Sequence, residues 1–178
     1  MTIEITEKPN EAQVKEAYEI SIQRNKIYAS PNMKLKNQDK QAILNILYGV
    51  ALLVITCLLG VFMGFDTMTT IAFTLSGVVL IFAILWLVLY KKSFSKFREA
   101  YLAMEKSSLT YDEDGVEVGM NGTSTVRIPW KKVKFIRTFD EFFVVFEDTT
   151  INALLIPVKY KDQIVNYMKE QELNITMY

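Results

Sequence analysis

The sequence predicts an α+β membrane protein: a two-helix transmembrane hairpin plus a small antiparallel β-sheet domain closed by a C-terminal helix. Three observations carry that expectation. Of the 40 charged residues, 39 lie outside positions 43–90, where Asp66 is the single exception. That stretch holds two apolar runs, residues 43–65 and 71–90. Beyond residue 106 the apolar spacing changes to period two, and after Pro157 it becomes helical.

At 1.5 Å per residue, the 23 residues of the first run reach about 34 Å. The second run reaches about 30 Å, so each matches a hydrocarbon layer of ~30 Å. A helix buried in a soluble core keeps a polar face, and neither run has one. Thr74 and Ser76 in the second run can bond back to the carbonyls of their own helix. A charged, helix-prone segment precedes the first run, which is longer than the apolar part of a signal peptide. An uncleaved anchor is therefore expected.

Lysine and arginine near the span ends set the expected orientation. Lys34, Lys36 and Lys40 precede the first span, and Lys91, Lys92, Lys96 and Arg98 follow the second. The connection 66–70 carries no cation. Both termini are thus expected in the cytoplasm, with 66–70 outside. Tyr48, Trp86 and Tyr90 fall toward the inner ends, where interfacial aromatics gather. Gly60-x-x-x-Gly64 offers a helix-packing face. The second span near Gly77, or a second copy in a homo-oligomer, would satisfy it equally.

The flanks divide into elements. Residues 1–41 predict a short strand with Ile3 and Ile5 alternating, then a helix that Asn10 caps and Gln13 completes as a capping box. Val14, Tyr18 and Ile22 mark its apolar face, beside Ala17 and Ser21. The polar face mixes both signs of charge, so packing on protein is expected rather than lying on lipid. After spans at 42–65 and 71–90, a helical extension is expected over 91–106. Residues 107–178 then form the sheet domain, with Asn121-Gly122 as a hairpin turn. Its last helix carries Tyr160, Ile164, Tyr167 and Met168 on one stripe.

Composition excludes several chemistries. Residues 99–178 hold nine cations against thirteen acids, which argues against nucleic-acid binding. There is no His, and Cys57 stands alone within the first span, so no metal set, disulfide or His-based triad forms. No cofactor and no catalytic residue is expected. The acids of "YDEDG" miss the spacing of a calcium loop. The N-x-T matches at 121–123 and 174–176 read as chance.

One stretch, 127–137, is basic: Arg127, Trp130, Lys131, Lys132, Lys134 and Arg137. It is a candidate lipid or partner surface, each cation near anionic lipid being worth about 1 kcal/mol. The competing expectation places Trp130 in the core after Pro129, with the lysines solvated.

Four features are similar to the YcxB-like family of bacterial membrane proteins. They are "LTYDEDG" at 109–115, "IPW" at 128–130, the phenylalanine-rich strand at 142–146 and Ile156-Pro157. The resemblance implies a cytoplasmic sheet-plus-helix domain like bacterial pleckstrin-homology (PH)-like domains. It brings no catalytic residues to transfer.

The expected function is therefore non-catalytic: a bacterial inner-membrane protein whose hairpin anchors a PH-like domain. The partners would be the lipid bilayer and an unidentified protein, with no nucleic acid. The alternative is a membrane-embedded immunity or stress-protection protein that acts through the hairpin itself.

Overall fold

The structure, a computed structural model, describes residues 1–5, 8–103, 107–120 and 124–178. The Asn121-Gly122 turn, the 121–123 sequon and the end of the extension expected over 91–106 lie outside these residues. The described chain is α+β, with four α-helices and two antiparallel sheets. It divides into two compact units. One comprises Met1–Leu35 with Phe97–Tyr178, and the other is Lys36–Lys96.

The second unit holds α2 (Gln38–Met63) and most of α3 (Thr67–Leu102). Both helices are long and apolar enough to cross a membrane, and only 17% and 6% of their most apolar windows is buried. Most of their side chains are exposed among the described residues, in contrast to those of a core helix.

Asn37 caps α2, accepting from the Lys40 N–H at 3.2 Å. The helix stops at Gly64, whose φ of +90° suits glycine. Asp66 then caps α3: its Oδ1 accepts from the Thr69 N–H at 2.7 Å and from the Thr69 hydroxyl at 2.8 Å. The Thr69 bonds hold its carboxyl below the usual carboxylate range. A lone acid belongs here because it satisfies orphan donors at the positive end of a helix. The cap also corrects the expected connection 66–70. The non-helical link is 64–66, because Thr67–Thr70 already form the first turn.

In the first unit, α1 (Glu11–Ala29) begins with the expected capping box. Asn10 Oδ1 accepts from the Gln13 N–H at 2.8 Å, and Gln13 Oε1 accepts from the Asn10 N–H at 3.0 Å. The strands are β1 (Thr2–Ile5), β2 (Ser107–Tyr111), β3 (Gly115–Met120), β4 (Ser124–Pro129), β5 (Val133–Thr138), β6 (Phe142–Glu147) and β7 (Ala153–Pro157). The helix α4 (Lys161–Glu170) follows a short 3-10 turn.

A single sheet was expected, but there are two, ordered β1-β2-β3-β4 and β5-β6-β7. The break comes at Pro129, which lacks an N–H and leads into the 3-10 turn Trp130–Lys132. The chain leaves that turn into β5 without pairing to β4.

Strand β1 pairs antiparallel with β2, from Thr2 opposite Thr110 to Ile5 opposite Ser107. The amino-terminal segment is thus structurally part of the sheet unit, and the two apolar helices interrupt that unit between β1 and β2.

The two faces of β6 explain the packing, since all six of its residues are buried. Phe143 and Val145 meet Leu109, Val116, Ile128 and the α4 residues Ile164 and Met168 in one core. Phe142, Val144 and Phe146 meet Ala17, Ile20 and Ile27 of α1 in another. A strand covered on both sides reads as an unbroken apolar run, which is what 142–146 shows. The expected apolar face of α1 needs rotation: Val14 and Tyr18 are buried, but Ile22 is 44% exposed. Ile20 and Ile27 take its place, two turns apart on the side that meets β6.

Candidate functional site

A cavity of about 370 Å3 opens within the first unit, a volume in the ordinary range of ligand pockets. Its walls come from elements far apart in sequence. Gln13, Ala17 and Ser21 line it from α1, one turn apart, so they share one face. Phe97 and Tyr101 line it at the same spacing from the end of α3. The opposite wall is the edge strand β7, through Ala153, Leu155 and Pro157.

The backbone of that edge can be accounted for residue by residue. Glu147 N–H donates to the Asn152 carbonyl at 2.9 Å, and Val158 N–H donates to the Glu141 carbonyl at 2.9 Å. In this register Leu154 and Ile156 turn their backbone groups to β6. Those of Ala153 and Leu155 therefore point outward. Pro157 has no N–H to leave unpaired, as suits an edge position.

Three of the lining side chains, those of Ala17, Ser21 and Ala153, are small. The polar groups of the wall are partly engaged. Ser21 Oγ donates to the Tyr18 carbonyl at 2.8 Å, and Gln13 serves the capping box. Lys159 sits at the wall with its ammonium 4.9 Å from the centre of the Tyr160 ring.

Burial pushes the Tyr101 phenol up to about 12. The sign of the linkage follows. Between the ordinary value of 10.0 and about 12 the folded state holds a proton that the unfolded state has lost, so stability falls as pH rises through that window. The loss is roughly 2–3 kcal/mol. Tyr101→Phe should flatten this alkaline limb, measured as urea midpoints at pH 9.5 and 11.5.

The basic stretch 127–137 is dispersed among different neighbours. Trp130 is only 6% exposed and belongs to the core, its indole N–H donating to the Asp112 carbonyl at 2.7 Å. Arg127 pairs with Asp112 and lies 3.7 Å from both Asp114 and Glu117. Lys134 lies 3.6 Å from Asp148 and 4.1 Å from the centre of the Tyr28 ring. Arg137 donates to the Met33 carbonyl and stacks over Phe139 at 4.5 Å, and burial lowers its pKa. Lys131 and Lys132 are exposed on the 3-10 turn, without an ion pair among the described residues. The six residues therefore do not form one free cationic surface.

The expected glycine face is also corrected. Gly64 lies beyond the end of α2, and the Phe65 ring occupies the space beside Gly60. Close helix approach occurs instead at Gly49, where an added Cβ would meet Leu80 Cα at 3.2 Å. Nothing lies within 4 Å of the corresponding point at Gly77.

Taken by its fold, the chain is an α+β protein in which two long apolar helices interrupt a two-sheet unit that carries a carbon-lined cavity. The family model described as YcxB-like protein matches residues 111–159, so the resemblance is shown for the segment from the end of β2 into the turn before α4. No curated protein matches the chain. No solved structure matches it either.

Proposed function

We propose that this is a non-catalytic, membrane-anchored binding protein of the bacterial inner membrane. Its two apolar helices cross the bilayer as a hairpin, and its two-sheet unit stands in the cytoplasm to bind a protein partner or the inner leaflet. The pairing of β1 with β2 carries this reading. Strands that share a ladder occupy one compartment, so the chain between Ile5 and Ser107 crosses an even number of times. The cations at 34–40 and 91–98 favour the cytoplasm for that compartment. Asp66 and its cap occupy the opposite end, with no cation to draw them back.

The layout of the unit supports a PH-like fold: four strands, then three, in two antiparallel sheets, with a C-terminal helix closing the core.

Reporter fusions in a bacterial host test the topology. A cytoplasm-dependent fluorescent reporter should be active at residue 178, and an export-dependent phosphatase should be active only when inserted at 64–66. Phosphatase activity at residue 178 would overturn the proposal.

A further inference from the structure

Strand β5 pairs with β6 on one side, and no strand of the other sheet pairs with its second side. Residues 176–178 occupy that outer side in parallel, with Met177 opposite Ile136. Ile136 N–H donates to the Thr176 carbonyl at 2.9 Å, and Tyr178 N–H donates to the Ile136 carbonyl at 2.9 Å. Thr138 N–H donates to the Tyr178 carbonyl at 3.0 Å. We propose that this edge docks an extended acidic segment of a partner protein, and that residues 176–178 hold it until the partner's segment replaces them.

The hold is slight. Three hydrogen bonds of ordinary net strength work against the entropy of ordering three residues, two opposing contributions of similar size. Parallel pairing is also the less stable ladder per residue. Met177 is 41% and Tyr178 46% exposed, so apolar burial adds little. The Tyr178 ring meets Phe135 edge-on, with centres 5.6 Å apart. The strand beneath has support of its own, because Phe135 also stacks on Phe146 at 4.7 Å and Ile136 lies in the core. Once vacated, the outer groups of Ile136 and Thr138 are a template for any strand that presents matching donors and acceptors.

The chemistry of the incoming segment follows from Arg137, which the register places opposite Tyr178. Its guanidinium donates through Nη2 to the Met33 carbonyl and lies over the Phe139 ring. Its Nη1 is buried without a hydrogen-bond partner among the described residues. Nor does any described carboxylate form an ion pair with it. Tyr178 thus brings a ring to a position where the cation calls for an acid. An Asp or Glu there supplies a charged acceptor, whose bonds are stronger than neutral ones. The inference deepens the partner-binding reading above and does not depend on the membrane crossings.

The test uses the full chain in detergent micelles, a second form lacking residues 176–178, and a fluorescein-labelled Thr-Val-Glu-Val-Thr peptide as probe. Fluorescence anisotropy should show about tenfold tighter binding to the shortened form, whose edge is open throughout. A peptide with Gln in place of Glu should bind about fivefold more weakly. N-methylation of the Glu removes the donor for the Ile136 carbonyl and should weaken binding at least as much. If the shortened form does not fold, amide exchange followed by NMR on the full chain decides. The N–H groups of Ile136 and Thr138 should exchange about a hundredfold faster than those of Phe135 and Arg137, which face β6.

Equal affinity for the two forms, or equal exchange of the two amide pairs, would make residues 176–178 a fixed strand and overturn the inference. So would a shortened form that folds but binds no peptide, or binding that survives N-methylation. Equal affinity of the Glu and Gln peptides would overturn the acidic partner. None of these results would alter the reporter-fusion topology.

Discussion

Deleting residues 2–5 is expected to destabilise the two-sheet unit by about 4 kcal/mol, although these residues stand more than one hundred positions before the strand they pair with. The estimate combines two losses. Ile5 is 8% exposed and packs with Leu109 and Tyr111, and removing a buried Ile costs about 2–5 kcal/mol. The ladder along Thr2–Ile5 adds hydrogen bonds worth about 1 kcal/mol each in net terms. Chain entropy recovered by the missing strand offsets part of this sum.

The deletion also turns β2 into a bare edge whose donors and acceptors face solvent. A Trp86→Phe background leaves Trp130 as the only tryptophan, so its fluorescence reports on this unit alone. The urea midpoint should fall in the truncated chain with Trp130 still buried at zero urea. An unchanged midpoint would mean that β1 does not hold the sheet, and the same-compartment argument for the hairpin would lose its support.

That pairing marks the limit of what the sequence makes legible. The alternation of Ile3 and Ile5 announces a strand, but four residues carry no information about a partner beyond position 100. What lies between, the helix α1 and then two long helices that are apolar over 43–65 and 71–90, resembles a boundary between independent segments. Local signals fared better. The capping box at Asn10 and Gln13 is a short-range hydrogen-bond pattern, and it is present as written.

The apolar run at 142–146 held more than its strand assignment. A strand with one solvated face alternates, and this one does not, so a second covering element was implied. That element is α1, and recognising it would have rotated the helix's buried face from Ile22 to Ile20 and Ile27. The cavity had no comparable signal. Its walls come from elements far apart in the chain, among them α1, the end of α3 and β7, and no local pattern announces that these meet.

Trp130→Ala separates the two meanings of the basic stretch. The side chain is buried against Tyr167, ring centres 6.4 Å apart, and its indole N–H meets the Asp112 carbonyl. Truncation removes that packing and leaves the part-buried Asp112 carbonyl short of its donor. It is expected to cost about 3–5 kcal/mol, the range for large aromatic deletions in a core. Charge reversal at Lys131 and Lys132 should cost less than about 0.5 kcal/mol, because both are exposed and away from the packed interior.

The same variants can be read on vesicles with and without anionic lipid. If the lysines touch an inner leaflet, Lys131→Glu with Lys132→Glu weakens binding to anionic vesicles at unchanged stability. Trp130→Ala would then lower the folded fraction but leave the affinity of the remaining folded chain as it was. A Trp130→Ala protein that keeps its urea midpoint yet loses vesicle binding would reverse the assignment and place the indole at the membrane surface. Its burial and its bond to Asp112 favour the first outcome. The tryptophan next to the lysines then serves to lock the turn that carries them.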